Sequence, residues 1–230
     1  LAGDAIDTGD ENVTVGYNSL TTNTKSFYNV AVGNSALAAH NLTSDAAGYN
    51  TGIGHNAGAA VTTGVNNTFI GALTGDATTT ADSNTAVGYA SLSTNTTGAN
   101  AAFGVQCLYY NTTGNLNTAV GRYGAMHKNT TGNSNVALGE QALFENTTGD
   151  YNVAVGALAL DNASTADNNV AVGHASLTAN TTGEENVASG TSALYYNTTG
   201  IGNVGLGYQT LYYNTTASNN VAVGKNALLV

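Results

Sequence analysis

Short apolar runs closed by a glycine recur along the whole chain, and the alternation inside each run predicts a β-strand. The closing glycines are Gly16, Gly33, Gly54, Gly71, Gly88, Gly104, Gly121, Gly139, Gly156, Gly173, Gly190, Gly207 and Gly224. Nine of the twelve spacings between them are 17 residues, and the others are 21, 16 and 18. Four residues before each glycine stands an asparagine: Asn12, Asn29, Asn50, Asn67, Asn84, Asn100, Asn117, Asn135, Asn152, Asn169, Asn186, Asn203 and Asn220. Self-similarity at a fixed period of this size marks a repeat array, in which each unit buries its apolar face only against its neighbours. The unit reads N-x-A-V-G-x-x-A-L-x-x-N-T-T-G-x-x and fills residues 12–230 as a single array, after an irregular N-terminal junction at 1–11.

Within the unit, the residue after the asparagine is Val or Thr except at Ala101, and the residue before the glycine is apolar except at Ser189. These two share one strand face, and the residue between them points the other way. The glycine permits a turn, a small residue and Leu follow three and four positions later, and N-T-T-G supplies a second turn. Each coil is therefore expected to contain a strand, a turn, a short extended or single-turn helical segment, and a return turn. The fold class is all-β: a parallel β-solenoid (β-roll) of about thirteen 17-residue coils. A hexapeptide-type left-handed β-helix is the alternative, although the unit holds no six-residue sub-period. Val153, Val155, Ala159 and Leu160 exemplify the residues expected to line a coil's interior. The opposite stripe, Ala31, Ala86, Ala119, Ala154, Ala171, Ala188 and Ala222, is expected to meet its symmetry mates around the narrow axis of a coaxial homotrimer. Thr14, Gly52, Phe69 and Gly205 interrupt that stripe. Stacked amides in the asparagine column are expected to hydrogen-bond from coil to coil, as asparagine ladders do in cross-β structures. The stretch from about 41 to 82 holds the 21-residue spacing and places Gly58 and Gly75 where other units have Leu, so a lateral feature is expected there.

Composition sharpens the picture. Only 8% of residues are charged, against the usual quarter, and 4 basic residues against 14 acidic give a net charge of −10. That excludes a nucleic-acid or other phosphate-binding surface, which needs clustered Lys and Arg. No apolar run is long enough to span a membrane, so no insertion by this segment is expected. The single cysteine, Cys107, takes a small inward position and is expected to be a buried, inert thiol.

Chemistry is sparse. His40, His55, His127 and His174 lie in separate coils without ligand spacing, and Asp7, Asp10 and Glu11 belong to the junction. No Ser, His and Asp arrangement recurs, and the glycines follow the repeat rather than a phosphate loop. No catalytic site, metal or cofactor is expected. Two columns remain as candidate binding surfaces. Tyr109-Tyr110, Tyr195-Tyr196 and Tyr212-Tyr213 occupy the same two positions of their coils, where they either pack over the Leu side of the coil or stack against a carbohydrate. A Thr-Thr column, from Thr96-Thr97 to Thr215-Thr216, is turn chemistry or an ice-binding rank. Seven Asn-Thr-Thr sites and Asn162-Ala163-Ser164 also fit the N-glycosylation sequon.

The N-x-A-V-G-x-x-A core resembles the head repeats of YadA-type trimeric autotransporter adhesins, and the longer unit ending in N-T-T-G is similar to arrays in phage tail fibres and large bacterial surface proteins. The resemblance covers almost all of the chain. It implies a trimeric β-roll in an extracellular fibre, on a virion or a bacterial cell surface, that projects and rigidifies and can hold a host glycan or protein receptor. The last unit stops six residues after Gly224, so the array is expected to continue or to have been cleaved there.

Overall fold

A computed structural model describes residues 1–229. The chain is an all-β parallel solenoid with no helix among the described residues, and it divides into two units, Leu1–Asn115 and Leu116–Val230. In the first unit the strands are β1 (Val13–Val15), β2 (Ser26–Phe27), β3 (Val30–Val32), β4 (Ala46–Ala47), β5 (Thr51–Ile53), β6 (Thr68–Ile70), β7 (Thr85–Val87) and β8 (Ala101–Val105). They pair in parallel in the order β1-β3-β5-β6-β7-β8, with β2 and β4 forming a separate two-stranded sheet. The second unit carries β9 (Thr118–Tyr123), β10 (Val136–Leu138), β11 (Val153–Val155), β12 (Val170–Val172), β13 (Val187–Ser189), β14 (Val204–Leu206) and β15 (Val221–Val223), each paired in parallel with the next. Register follows the repeat: Ala154 faces Ala171 and Ala171 faces Ala188. Each coil adds one strand to the main sheet, not the three of a hexapeptide helix.

The alanine stripe runs inside the coils, not along an external axis. In β10, Ala137 is fully buried while Val136 and Leu138 on either side are 37% and 47% exposed. Ala31, Ala86, Ala119, Ala154, Ala171, Ala188 and Ala222 are likewise buried, and the residues expected inward, Val153 and Val155, are only half-buried. Ala159 and Leu160 do line the interior. The reason lies in the turn after the glycine. Its Leu has positive φ in coil after coil, as at Leu143 (53°), Leu160 (51°), Leu177 (50°) and Leu194 (52°). A left-handed residue costs roughly 1–2 kcal/mol, yet here it aims a large side chain across the coil. At Gly205, which replaces the stripe's alanine, an added Cβ would lie 3.1 Å from Thr210 Oγ1 and 3.4 Å from Leu194 Cδ1. The room left by Leu fits a methyl group. The segment is neither helical nor extended, because Leu158 at 58° precedes Leu160 in the same left-handed region.

Phe69 is accommodated from the opposite wall. It is fully buried in the position of the alanine, and the turns beside it carry Gly58 and Gly75 in place of Leu. A Cβ at Gly58 would meet Phe69 Cδ2 at 2.8 Å, and one at Gly75 would strike the same ring. One large side chain thus stands across the coil in place of two.

The asparagine column is a ladder. The Asn169 backbone N–H and side-chain Nδ2 donate to Asn152 Oδ1 at 3.0 and 3.2 Å, and the same pair of bonds joins Asn186 to Asn169 and Asn203 to Asn186. Asn152 Nδ2 also donates to the Ala166 carbonyl at 2.7 Å. Every polar atom of these buried amides is used, as burial requires.

A second ladder stands parallel to the first, built from the asparagine of N-T-T-G. Asn146 donates to Asn129 Oδ1 at 2.7 Å, Asn197 to Asn180 at 2.9 Å, and Asn214 to Asn197 at 2.9 Å. In the first unit Asn111 donates to Asn95 at 2.9 Å. The column is broken where it passes through His40, Val61 and Thr78, and again at Ala163. Buried polar atoms without partners sit at those breaks: His40 Nδ1, Thr78 Oγ1 and Asn146 Oδ1.

Residues 1–11 follow the coil pattern as well. Gly3 has φ of 58° and donates from its N–H to the Ser19 carbonyl at 2.9 Å, as Leu20 donates to the Ala36 carbonyl of the next coil. Asp7, Thr8 and Gly9 donate to the Thr24 carbonyl. They make a partial coil over the first complete one.

Candidate functional site

The tyrosine columns lie on the turn after the inward leucine. In the second unit Tyr195 stacks on Tyr212 with centroids 5.3 Å apart, and Tyr196 on Tyr213 at 5.6 Å and 6°. Within each pair the rings meet edge to face at 4.8 and 4.9 Å. Tyr196 and Tyr213 are 42% and 56% exposed, while Tyr195 and Tyr212 are half-buried beneath them. Partial withdrawal from water, followed by the neighbouring tyrosines, raises the pKa of Tyr212. Stacked rings cover part of each other's faces, so the quartet turns edges and hydroxyls outward as much as flat rings. In the first unit Tyr109 and Tyr110 repeat the edge-to-face pair at 4.7 Å, with Tyr110 the exposed member.

The same two columns change character between these tyrosines. Phe144 stacks on His127 at 5.1 Å, Lys128 Nζ lies 5.6 Å over the Phe144 ring, and Lys128 bridges to Glu145 at 2.7 and 2.8 Å. Burial raises the pKa of Asp161, Glu145 adds to the rise, and Lys128 opposes it. The stretch is an ion pair on a partly wet face, worth about 1 kcal/mol or less.

The threonine column is longer than the Thr-Thr motif shows. In the first unit Thr63, Thr80, Thr97 and Thr113 are exposed at this position, and in the second Thr131, Thr148, Thr165, Thr182, Thr199 and Thr216 are. The preceding hydroxyls are engaged by the backbone: Thr130 donates to the Thr147 carbonyl at 2.8 Å and Thr198 to the Thr215 carbonyl at 3.0 Å. The Asn-Thr-Thr sequons are structural. Asn95, Asn111, Asn129, Asn146, Asn180 and Asn197 are buried with their amides in the second ladder, so a glycan on them is incompatible with the folded coil. Asn162, at the Asn-Ala-Ser site, is exposed.

Cys107 is buried, with Sγ 3.3 Å from the Phe103 carbonyl. Burial lowers the pKa of His40 to about 4, and its Nε2 lies 3.0 Å from Ser26 Oγ. Among the described residues, no three or more His, Cys, Asp or Glu side chains come together as a metal site, and no helix is long and apolar enough to cross a membrane.

The most extensive surface is one the sequence reading turned inward. The outward residues of the main sheet in the first unit run Val13/Val15, Val30/Val32, Thr51/Ile53, Thr68/Ile70, Thr85/Val87 and Ala101/Phe103. Those of the second run Thr118/Val120, Val136/Leu138, Val153/Val155, Val170/Val172, Val187/Ser189, Val204/Leu206 and Val221/Val223. All are exposed or half-buried, and none is charged. Compared with known proteins, the chain matches no family model, no curated protein and no solved structure.

Proposed function

We propose that the chain is a structural segment of an extracellular fibre, assembled as a coaxial homotrimer through the uncharged face of its main sheet. The observation that carries this reading is the uncharged, largely apolar pair of columns on each unit's sheet, open to solvent in the single chain and interrupted only by Thr and by Ser189. Contiguous apolar surface on this scale marks an interaction site, and a surface repeated coil by coil fits a partner with the same repeat, which a second and third copy supply. The contacts at the axis are then Val, Ile, Leu and Thr, with the alanines behind them in each coil's own core. In such an assembly the tyrosine turns stand away from the shared face, where Tyr110, Tyr196 and Tyr213 are available to a host-surface glycan or protein. The work of the segment is to project and stiffen, on a virion or a cell surface.

Sedimentation equilibrium on the native chain and on a Val153→Lys, Val170→Lys variant tests the assembly. A native trimer and a folded, monomeric variant are expected; a monomeric native chain refutes it. The exposed threonine rank favours a second reading, ice binding, for which an ice-recrystallisation assay is the direct test. Only one of the two threonine ranks has its hydroxyls free of the coil-to-coil backbone bonds, which makes this the less supported reading.

A further inference from the structure

The 21-residue coil builds a cleft beside the solenoid. Its extra residues carry β4 alongside β2, and the cleft lies against this small sheet, lined by Thr8, Asp10, Glu11, Phe27, Tyr28 and Asp45, with a volume of about 300 Å³. Phe27 and Tyr28 form a corner of two rings, edge to face at 5.1 Å and 86°, and Tyr49 stacks on Tyr28 at 5.3 Å and 7°. Thr8 Oγ1 donates to Asp45 Oδ1 at 2.8 Å, which fixes one carboxylate at the rim. Glu11, hydrogen-bonded to the Tyr28 hydroxyl, raises that tyrosine's pKa and places a second negative charge against the ring.

The fold does not require this aromatic corner. Tyr28 has φ of 63°, and the corresponding left-handed positions of other coils hold Asn66, Ser83, Asn168 and Asn219 as well as Tyr49, Leu116 and Tyr151. The lining includes three carboxylates and no Lys or Arg, and Lys25 is the one basic residue in the first 115. Such a site repels phosphates and carboxylates, and a neutral sugar leaves its charge uncompensated.

We propose that this cleft binds an alkylammonium group, held over the Phe27 and Tyr28 rings and neutralised by Asp10, Glu11 and Asp45. Ring quadrupoles attract a cation within about 6 Å of the centroid, and quaternary ammonium groups suit such corners because their charge is spread over apolar surface. The group can come from a choline headgroup or from a lysine side chain, and the chemistry is shared.

Calorimetric titration of the full chain with choline, and separately with Nα-acetyl-lysine methylamide, tests the proposal. Binding that weakens with added salt is expected for at least one of them, and whichever binds more tightly identifies the source. Tyr28→Asn places a residue used by other coils at the same backbone position, so the coil is retained, and melting temperature checks this. It should weaken binding by about fivefold or more. Glu11→Gln should weaken it and flatten the salt dependence, while Tyr213→Ala should leave it unchanged. Absence of heat with both cations, equal binding by Tyr28→Asn, or equal binding of methyl glucoside would each overturn the proposal.

Discussion

Phe69 and the two glycines beside it form a testable unit of packing. Phe69 is fully buried, so Phe69→Ala should cost about 3–5 kcal/mol through lost transfer energy and the cavity left behind. Gly58→Leu alone drives a side chain into the Phe69 ring, since even its Cβ would come within 2.8 Å of Cδ2, and Gly75→Leu does the same. Overpacking of this kind costs about 1–3 kcal/mol for each change. The backbone is no obstacle, because Leu37 at 47° and Leu92 at 52° occupy the same left-handed conformation in neighbouring coils. The triple variant recreates the common coil, with two leucines that each recover about 1.5–3 kcal/mol on burial. The three single costs together come to about 5–11 kcal/mol, whereas the triple variant should lie within about 2 kcal/mol of the native chain. Thermal unfolding followed by circular dichroism measures all five proteins, and coupling between contacting sites is the readout. A triple variant as unstable as its single changes combined would refute the exchange of one ring for two leucines.

The ladders give three further expectations. Ala163→Asn should raise stability by about 1–3 kcal/mol, because it supplies the donor that the buried Asn146 Oδ1 lacks; an unchanged melting temperature would count against the second ladder as an energetic element. Asn152→Ala should cost about 3 kcal/mol, since it strands the Asn169 N–H and the Ala166 carbonyl in a buried setting, and the loss should exceed that of Asn214→Ala at the half-exposed end of the other ladder. His40 binds a proton more readily unfolded, near pH 6.5, than folded, near pH 4, so stability should hold above pH 7 and fall by about 3 kcal/mol as pH drops through that window. His40→Asn, the residue other coils use there, should remove that part of the acid sensitivity, as urea unfolding of the two chains at matched pH will show.

The sequence carried the period, the strands and the first asparagine ladder because each depends on one residue type recurring at one spacing. Which strand face turns inward was not legible. Alternation separates Ala154 from Val153 and Val155 but assigns neither to the core, and both faces are apolar. The decision belongs to Leu160, whose left-handed backbone sends its side chain across the coil and leaves room only for a methyl group opposite. That conformation is disfavoured for leucine, so propensity argued against it. The second ladder was hidden by a sufficient local explanation: asparagine before Thr-Thr-Gly is good turn chemistry, although its recurrence from Asn95 to Asn214 was a visible signal. Phe69 and the pair Gly58 and Gly75 each stood out as exceptions, and only contact joins them. Of the candidate site, the shared tyrosine positions could be read, but not which ring of each pair lies outside. The cleft at Tyr28 draws on residues 8 to 45, brought together by an insertion whose path no periodicity describes.

Because every coil satisfies its amides through its two neighbours alone, the number of coils is a heritable variable that folding does not fix. Recombination between repeats that removed residues 152–168 would leave Asn169 to donate to Asn135 Oδ1, as Asn152 does now, and every interface except the one created at the junction would already be a native one. That particular deletion would also bring Asn180 into line with Asn146, whose acceptor is now orphaned opposite Ala163. Loss of a whole coil keeps the amides paired even where the coil is not 17 residues long, since Asn50 still donates to Asn29 across 21 residues and Asn135 to Asn117 across 18. Lineages carrying such a gene can therefore drift in repeat number by whole units, with selection acting on reach rather than on foldability.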